Sequence, residues 1–417
     1  MSAETPTAGA APAPEPGRKK RSRADLPWWV EKVAVPVVFL GAAALMPFLF
    51  DPGSNVLATC VLALAYTVMA LGLNIIVGFA GLLDLGYVAF FAIGAYTIGW
   101  FGSGFFSQVG NEEGWHIGVS GFAAELPGIH LNFLLVLPAA IVFTTIAGIL
   151  IGLPTLRLRG DYIAIVTLAF GEIVGKAAVN GDTLVFADTP VIGGALENVF
   201  GPDQTVTAGR QGITPVDKIQ LPGLDPFISL NQRPWFWVAL ALVAITLFVN
   251  FRLRDSRLGR AWVALREDEV AAVAMGVPAV KTKLLAYGTG AAFGGMSGAF
   301  LGSFNNTVNA DQFQFFFSIF ILGAVILGGL GSIWGTVLGA IALTFINFEL
   351  LPRLNTVPSK IGLDFDVSEI NFGIYGFLLV TMMLLRPQGL LPERRRKLEL
   401  TEDAELMHDE TLYTARA

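Results

Sequence analysis

Long apolar stretches recur along nearly the whole chain and are separated by short polar segments. A stretch of about 18 or more apolar residues can cross roughly 30 Å of hydrocarbon as an α-helix. Lipid offers the backbone no hydrogen-bonding partner, so only helices and closed barrels span it. Barrel strands alternate in polarity over about ten residues, and stretches such as VLATCVLALAYTVMALGLNIIVG (56–78) do not alternate. The pattern therefore predicts an all-α, polytopic bundle of transmembrane helices.

About ten such stretches follow one another along the chain. They cover 33–50, 56–78, 86–102, 131–153, 162–179, 234–251, 284–304, 315–329, 335–351 and 370–385. The stretches 86–102 and 315–329 are short and rich in glycine, which leaves tilted, broken and re-entrant helices open there. The longest connection, 180–233, is expected to be functional or to carry structure of its own.

Composition and charge agree with this pattern and orient it. Of the 417 residues, 54% are hydrophobic and 14% are charged, whereas soluble domains carry about a quarter charged residues. Lys and Arg concentrate on one side of the predicted helices, in the segments 17–23, 157–159, 252–283 and 386–397. Because positive charge is retained in the cytoplasm, both chain termini are predicted to be cytoplasmic.

The domain organisation follows from these patterns. Residues 1–27 are rich in Ala, Pro, Thr and Glu and then basic, without periodicity, which predicts a disordered cytoplasmic tail. The transmembrane domain is predicted at 28–392, with a cytoplasmic loop at 252–283 and the external loop at 180–233. A second cytoplasmic tail is predicted at 393–417.

Glycine repeats at every fourth residue in one predicted helix, at Gly290, Gly294, Gly298 and Gly302. Small residues at this spacing let two helix backbones approach closely. Static close packing and a seam along which helices slide both explain the repeat, and static packing is favoured. Neither is a nucleotide site, because no GxxxxGK[ST] or GxGxxG motif follows a predicted strand. Any ATP is expected to bind another subunit.

Ionisable side chains inside predicted membrane helices are functional candidates. Glu172 and Lys176 lie four residues apart on one helix face, with the acid before the base, the better orientation for an ion pair. The alternative is that Lys176 extends to the external interface and pairs with Glu172 only to lower the cost of the acid. Asp84, between two helices, is either a helix cap or a site residue. With Asn74 and Thr167, these residues are the candidates for a polar path through the membrane.

The cytoplasmic loop 252–283 is long for a turn between two helices. Its second half is predicted to form a short helix, with acidic residues at the positive N-terminal end and Gly276 and Pro278 as the stop. Apolar side chains, Val270 among them, lie between the charges, which suits a short helix docked in a groove of a cytosolic partner. An amphipathic helix on the membrane surface is the alternative. The candidate contact residues are Arg260, Trp262, Leu265, Arg266, Glu267, Asp268, Glu269, Val273 and Met275.

Catalytic chemistry is not indicated. His116, His130 and His408 fall in predicted loops or the tail, and no HExxH or GxSxG motif occurs. The single cysteine, Cys60, lies inside an apolar stretch without another thiol to pair with, which predicts a small buried hydrophobe. The chain is therefore expected to be no enzyme and to hold no metal or cofactor.

Sequence blocks spread along the chain occur in an order that resembles a known family. They are GLLDLGYVAFFAIGAYT (81–97), LRLRGDYIAIVTLAFGEIV (156–174), DSRLGRAWVALREDEVAAVAMGV (255–277), GGLGSIWGTVLGA (328–340) and RPQGLLPERRR (386–396). The chain resembles the LivM-type permeases of branched-chain amino-acid ABC importers. The resemblance implies a prokaryotic inner-membrane protein that works with a second homologous permease and two cytosolic ATPase subunits. It also implies an extracytoplasmic binding protein that delivers leucine, isoleucine or valine.

By the same resemblance, 260–275 is the cytoplasmic loop that engages the ATPase, and ATP binding moves it as a rigid lever. The chain departs from the family after 179, where GDTLVFADTPVIGGALENV (181–199) and a long insertion replace a Thr-Gly-Gly turn. The family's Arg near FGEIV is also absent, with Lys176 one position late. Branched-chain or other hydrophobic amino acids are the expected solutes. The alternatives are urea, amides or another small solute through the same machinery, and an ATP-independent secondary transporter or channel.

Overall fold

The computed structural model describes residues 35–109, 114–156, 162–185, 200, 203–221, 225–354 and parts of 373–391. The chain divides into two compact units, Met1–Ala42 and Ala43–Ala417, and every contact given below lies within the second unit. The predicted tails at 1–27 and 393–417 lie outside the described residues.

Helices dominate the described residues, in the positions that the apolar stretches predict. Their bounds are α1 Val35–Leu49, α2 Asn55–Asn74, α3 Val88–Phe101, α4 Phe133–Thr155, α5 Tyr162–Asn180, α6 Arg233–Asp255, α7 Arg257–Glu267, α8 Glu269–Ala274, α9 Ala279–Asn305, α10 Phe315–Gly328 and α11 Ile333–Phe345. The π-helical turn Ile75–Phe79 extends α2, and the π-helical turn Ile346–Leu350 with the short helix Leu351–Leu354 extends α11.

The lengths of these helices identify the class of protein. Among the described residues, 5 helices are long and apolar enough to cross a membrane, namely α4, α5, α6 and the extended α2 and α11. The predicted span 370–385 is described only at single positions, and those positions are helical. The chain is thus a polytopic helical membrane protein, as the sequence predicts.

Polar side chains at the N-termini set several helix boundaries. Ser54 Oγ accepts a hydrogen bond from Leu57 N at 3.3 Å before α2, and Asn132 Oδ1 accepts from Leu134 N at 2.9 Å before α4. Such caps satisfy backbone N–H groups that have no partner within the helix. The two caps fix the starts of α2 and α4 within two residues of the predicted starts at 56 and 131.

The two glycine-rich stretches form short helices that begin inside the bundle. α3 and α10 have 14 residues each, or about 21 Å of helix, which is less than the roughly 30 Å of a bilayer core. Val88 N, at the start of α3, donates to Ser318 Oγ in the first turn of α10 at 3.0 Å. The starts of two short helices therefore meet within the bundle, an arrangement that membrane proteins tolerate where protein surrounds the backbone.

A small sheet caps the end of the bundle to which α3 leads. The strands β1 (Gly102–Ser103), β2 (Trp115–Ile117) and β3 (Ile129–Leu131) are ordered β1-β3-β2. β1 pairs with β3 antiparallel, and β2 pairs with β3 parallel. We call this the sheet end. The prediction that His116 and His130 lie in loops is wrong, because β2 contains the first and β3 the second.

The long connection between α5 and α6 carries local structure, as predicted, in the part that is described. A bridge joins Ser103 of β1 to Val216, and another joins Ile213 to Val308 in the segment between α9 and α10. Ile213 N donates to Val308 O at 2.9 Å, and Val308 N returns a bond to Ile213 O at 3.0 Å. Residues 203–221 are thereby fixed to the sheet end.

Candidate functional site

The segment 257–277, comprising α7, α8 and their exit turn, lies at the end of the bundle opposite the sheet. We call it the coupling segment. Trp262 is fully buried, and its Nε1 donates to Thr282 O at the start of α9 at 2.7 Å. Leu265 is 5% exposed. The expectation that Trp262 and Leu265 dock into a partner is therefore wrong, because both side chains attach α7 to its own bundle.

Charged side chains complete the attachment of the coupling segment. Arg266 Nη1 donates to Gly78 O, in the π-helical turn after α2, at 2.7 Å. Glu269 forms an ion pair with Lys283 of α9, with Nζ and Oε1 2.7 Å apart. Because these bonds reach two different membrane helices, displacement of the coupling segment would be transmitted to both.

The short helix α8 forms where the sequence predicts it. Asp268 Oδ1 accepts from Ala271 N at 3.0 Å and caps its start. Gly276 has a φ of 89°, a left-handed conformation that glycine adopts without strain and that commonly ends helices. The predicted stop at Gly276 is thus confirmed.

The coupling segment presents three apolar side chains to its surroundings. Val270 is 80% exposed, Val273 is 48% exposed and Met275 is 85% exposed. We call these three residues the apolar patch. Clustered apolar surface of this kind marks interaction sites more often than isolated exposed residues do.

The repeated glycines of α9 lie against α2 and α3. A Cβ added at Gly290 would lie 2.9 Å from Gly72 O, one at Gly298 would lie 2.9 Å from Ala95 N, and one at Gly302 would lie 2.6 Å from Ile98 Cγ2. Gly294 approaches Tyr87 and Phe90 in the same way. Close packing by this stripe is confirmed, and sliding along it stays a prediction.

Two of the polar path candidates, Asp84 and Thr167, meet where the chain crosses from α2 to α3. Asp84 is buried, and its Oδ1 accepts from Gly86 N at 2.9 Å. Thr167 Oγ1 on α5 accepts from Leu85 N at 3.1 Å. Both side chains fix the turn that precedes α3, but Tyr87 is the N-cap of that helix and Asp84 does not cap it. The role of Asp84 as a site residue stays a prediction.

A third candidate, Asn74, lies apart from these two at the end of α2. Its side chain is fully buried, and its Oδ1 accepts from Gly331 N at 2.9 Å. Gly331 has a φ of 82° and belongs to the turn between α10 and α11. Asn74 therefore joins α2 to that turn.

Substituting Asn74 by alanine should destabilise the protein. Loss of the acceptor leaves Gly331 N–H buried and unpaired, which costs about 1–3 kcal/mol, and we expect a lower midpoint of thermal unfolding in detergent. Asn180→Ala is the matched control, because the Asn180 side chain is exposed at the end of α5. Equal midpoints for the two variants would contradict a stabilising role for the Asn74 bond.

Glu172 and Lys176 are exposed on α5 and line a cavity of about 300 Å³. No ion pair joins them among the described residues, although the sequence places them on one helix face. Arg210 and Asp311 line the same cavity. The sequence pattern did not associate Arg210 or Asp311 with Glu172 and Lys176, because their proximity to α5 depends on how the loops of the sheet end fold.

The described histidines form a pair at the sheet end. His130 Nδ1 lies 2.7 Å from Asp217 Oδ2, and the His116 ring stacks on the His130 ring with centroids 5.3 Å apart. Within the described ranges, no group of three or more His, Cys, Asp or Glu side chains is arranged to hold a metal ion. Cys60 is buried in α2, as predicted.

Comparison with known proteins agrees with this architecture. The family described as "Branched-chain amino acid transport system / permease component" matches residues 55–384. The permease protein LivM of the high-affinity branched-chain amino acid transport system of Salmonella typhimurium is 35% identical over 384 residues, 87% of this chain and 76% of that protein. Its Escherichia coli counterpart is 36% identical over 388 residues, 88% of this chain and 77% of that protein.

A shorter similarity links the chain to a second permease type. LivH of Escherichia coli is 29% identical over 157 residues, 38% of this chain and 46% of that protein. No solved structure matches the chain. These relatives are named as transport permeases and not as enzymes. Since the family match covers most of the chain, the chain belongs to the permease family of branched-chain amino acid transport systems.

Proposed function

We propose that this chain is the membrane-spanning permease subunit of an ABC importer that carries branched-chain amino acids across a prokaryotic plasma membrane. The observation that carries the proposal is the coupling segment, which is firmly attached to the bundle and leaves its apolar patch exposed. The names of the LivM relatives supply the solute class. A second homologous permease, two cytosolic ATPase subunits and an extracytoplasmic binding protein would complete the transporter.

The proposed topology has about ten membrane spans with both termini in the cytoplasm. Arg254, Arg260 and Arg266 lie at the end of the bundle that carries the coupling segment, whereas Arg210 and Arg233 lie toward the sheet end. The positive-inside rule assigns the more basic end to the cytoplasm. Under this topology, the coupling segment can reach a cytosolic ATPase and the sheet can reach a binding protein.

The attachment of the coupling segment suggests how ATP binding would act on the membrane helices. Closure of the ATPase dimer would displace α7 and α8 together. The Arg266 bond would transmit that movement to the end of α2, and the Trp262 bond would transmit it to the start of α9. The permease then needs two arrangements whose free energies differ by a few kcal/mol and whose balance the ATPase shifts.

Reconstitution of the whole transporter tests the proposal. Liposomes that contain both permeases and enclosed ATPase subunits with ATP should accumulate labelled leucine from a loaded external binding protein. Unlabelled isoleucine and valine should compete with leucine, whereas urea should not. If urea competes with leucine, and isoleucine and valine do not, the solute class is urea or amides and not branched-chain amino acids. Uptake by the permeases without ATPase subunits would establish a secondary transporter or channel.

A further inference from the structure

We infer that the cavity between α5 and the start of α10 is a binding site for the zwitterionic backbone of an amino acid during transport. The inference rests on the proposed function and adds a substrate contact within the permease itself. Three segments form the cavity: α5, the turn that contains Arg210, and the chain that leads into α10. We call it the α5 cavity.

The walls of the α5 cavity approach each other closely. A Cβ added at Gly175 of α5 would lie 3.0 Å from Phe313 O, so glycine lets the two walls meet there. Glu172 and Lys176 stand on either side of Gly175 along α5. The volume of about 300 Å³ lies at the lower end of the range of small-molecule sites, about 300–1,000 Å³.

The charges of the α5 cavity are balanced in sign. One acid and one base, Glu172 and Lys176, belong to α5, and one base and one acid, Arg210 and Asp311, belong to the opposite wall. Arg210 Nη1 and Asp311 Oδ1 are 3.8 Å apart, and the two side chains are 74% and 49% exposed. A solute with one ammonium and one carboxylate can pair with both signs, whereas a purely anionic or cationic solute would leave charges unmatched.

The start of α10 adds a second anion-binding feature. Its first residues, Phe315 and Phe316, line the cavity, and Gln314 at the N-cap makes no side-chain cap hydrogen bond. Helix N-termini attract carboxylates through backbone N–H groups and the helix dipole. The carboxylate of the solute is therefore assigned to Lys176 and the start of α10, and the ammonium to Glu172. The phenylalanine rings offer apolar surface to a branched side chain.

Glu172 lies within α5, one of the helices that are long and apolar enough to cross a membrane. Glu172 lies eight residues before the end of α5, Asn180, which corresponds to about 12 Å along the helix. A charge within a membrane span is costly unless it is paired. Glu172 has no ion-pair partner among the described residues. An ammonium group of a passing solute would supply one.

Leucine binding to the assembled transporter, in the absence of the binding protein, tests the α5 cavity. We would record saturation-transfer NMR with leucine on the assembled transporter in phosphatidylglycerol nanodiscs. Wild type should transfer saturation to leucine but not to leucinamide, which lacks the carboxylate, or to 4-methylpentanoate, which lacks the ammonium. Glu172→Gln and Lys176→Gln should each reduce the leucine signal at least fivefold. Glu125→Gln and Lys218→Gln, which lie outside the cavity, are the matched controls; Glu125 is exposed, and Lys218 is half-buried and donates to Ser229 Oγ.

Uptake by the same variants separates this inference from the proposed function. With a loaded binding protein, Glu172→Gln and Lys176→Gln should keep ATPase stimulation yet import less leucine per ATP hydrolysed. Unchanged leucine transfer and uptake in both variants, beside ATP-dependent uptake by wild type, would overturn the α5 cavity alone. Loss of the leucine signal on adding phosphatidylethanolamine would assign the cavity to a lipid head group and also overturn it. Absence of leucine uptake by wild type would instead contradict the proposed function.

Discussion

Gly298→Ala should strongly destabilise the bundle, although alanine is the better helix former. The added Cβ would lie 2.9 Å from Ala95 N and still closer to Phe91 O, both backbone atoms of α3. A backbone cannot rotate away as a side chain does, so α3 and α9 would have to separate. Overpacking of this kind costs about 1–3 kcal/mol and occasionally more. We expect a sharply lower yield of monodisperse protein and a lower unfolding midpoint.

Gly288→Ala, in the same helix, is the matched control for this prediction. A Cβ at Gly288 would meet only side-chain atoms, Ile149 Cγ1 at 3.3 Å and Thr145 Cγ2 at 3.4 Å. Small rotamer changes can relieve such contacts, and replacing glycine in a helix gains up to about 1 kcal/mol. The unfolding midpoint of Gly288→Ala should stay level or rise. If both variants behave alike, close backbone approach at Gly298 does not govern stability.

The helices were predictable because the bilayer imposes a long, local signal on the sequence. Each span must supply enough consecutive apolar residues to cross hydrocarbon, and these runs survive even where α3 and α10 are too short to cross alone. The short helix α8 was predictable for a similarly local reason, since Asp268 and Gly276 mark its two ends. Signals of this kind need no knowledge of distant residues.

The sheet and the α5 cavity were not predictable, because both depend on residues far apart in the chain. β1 pairs with β3 through Gly102 and His130, and strands of two or three residues have no periodicity to detect. Arg210 Nη1 and Asp311 Oδ1 lie 3.8 Å apart, although Arg210 belongs to the connection between α5 and α6 and Asp311 to the connection between α9 and α10. Their loop positions carry no local pattern that would associate them with Glu172.

Trp262 illustrates why the role of a single apolar residue cannot be read from its neighbours. It lies near charged residues in the sequence, as Val270 does, and the pattern suits attachment to the bundle and docking to a partner equally. The fold distinguishes them: Trp262 is fully buried against α9, whereas Val270 and Met275 face outward. Exposure therefore decides which apolar residues of the coupling segment remain for a partner.

Under the proposed function, replacing Val270 and Met275 together by aspartate should detach the proposed ATPase partner from an otherwise intact permease. Both side chains are almost fully exposed and make no contribution to the buried attachment of α7. Loss of a central apolar contact at an interface costs about 2 kcal/mol or more, so ATPase capture should fall by at least about tenfold. Co-purification with tagged permease and ATPase activity stimulated by a loaded binding protein are the measurements.

Leu230→Asp is the matched control, because Leu230 is an equally exposed apolar residue in the connection that precedes α6. It should leave ATPase capture unchanged. Trp262→Ala should lower both capture and thermal stability, since it removes a buried side chain and its bond to Thr282 O. If Val270→Asp together with Met275→Asp leaves ATPase capture intact, the apolar patch contacts lipid. The amphipathic surface helix, the alternative that the sequence left open, would then be the correct interpretation.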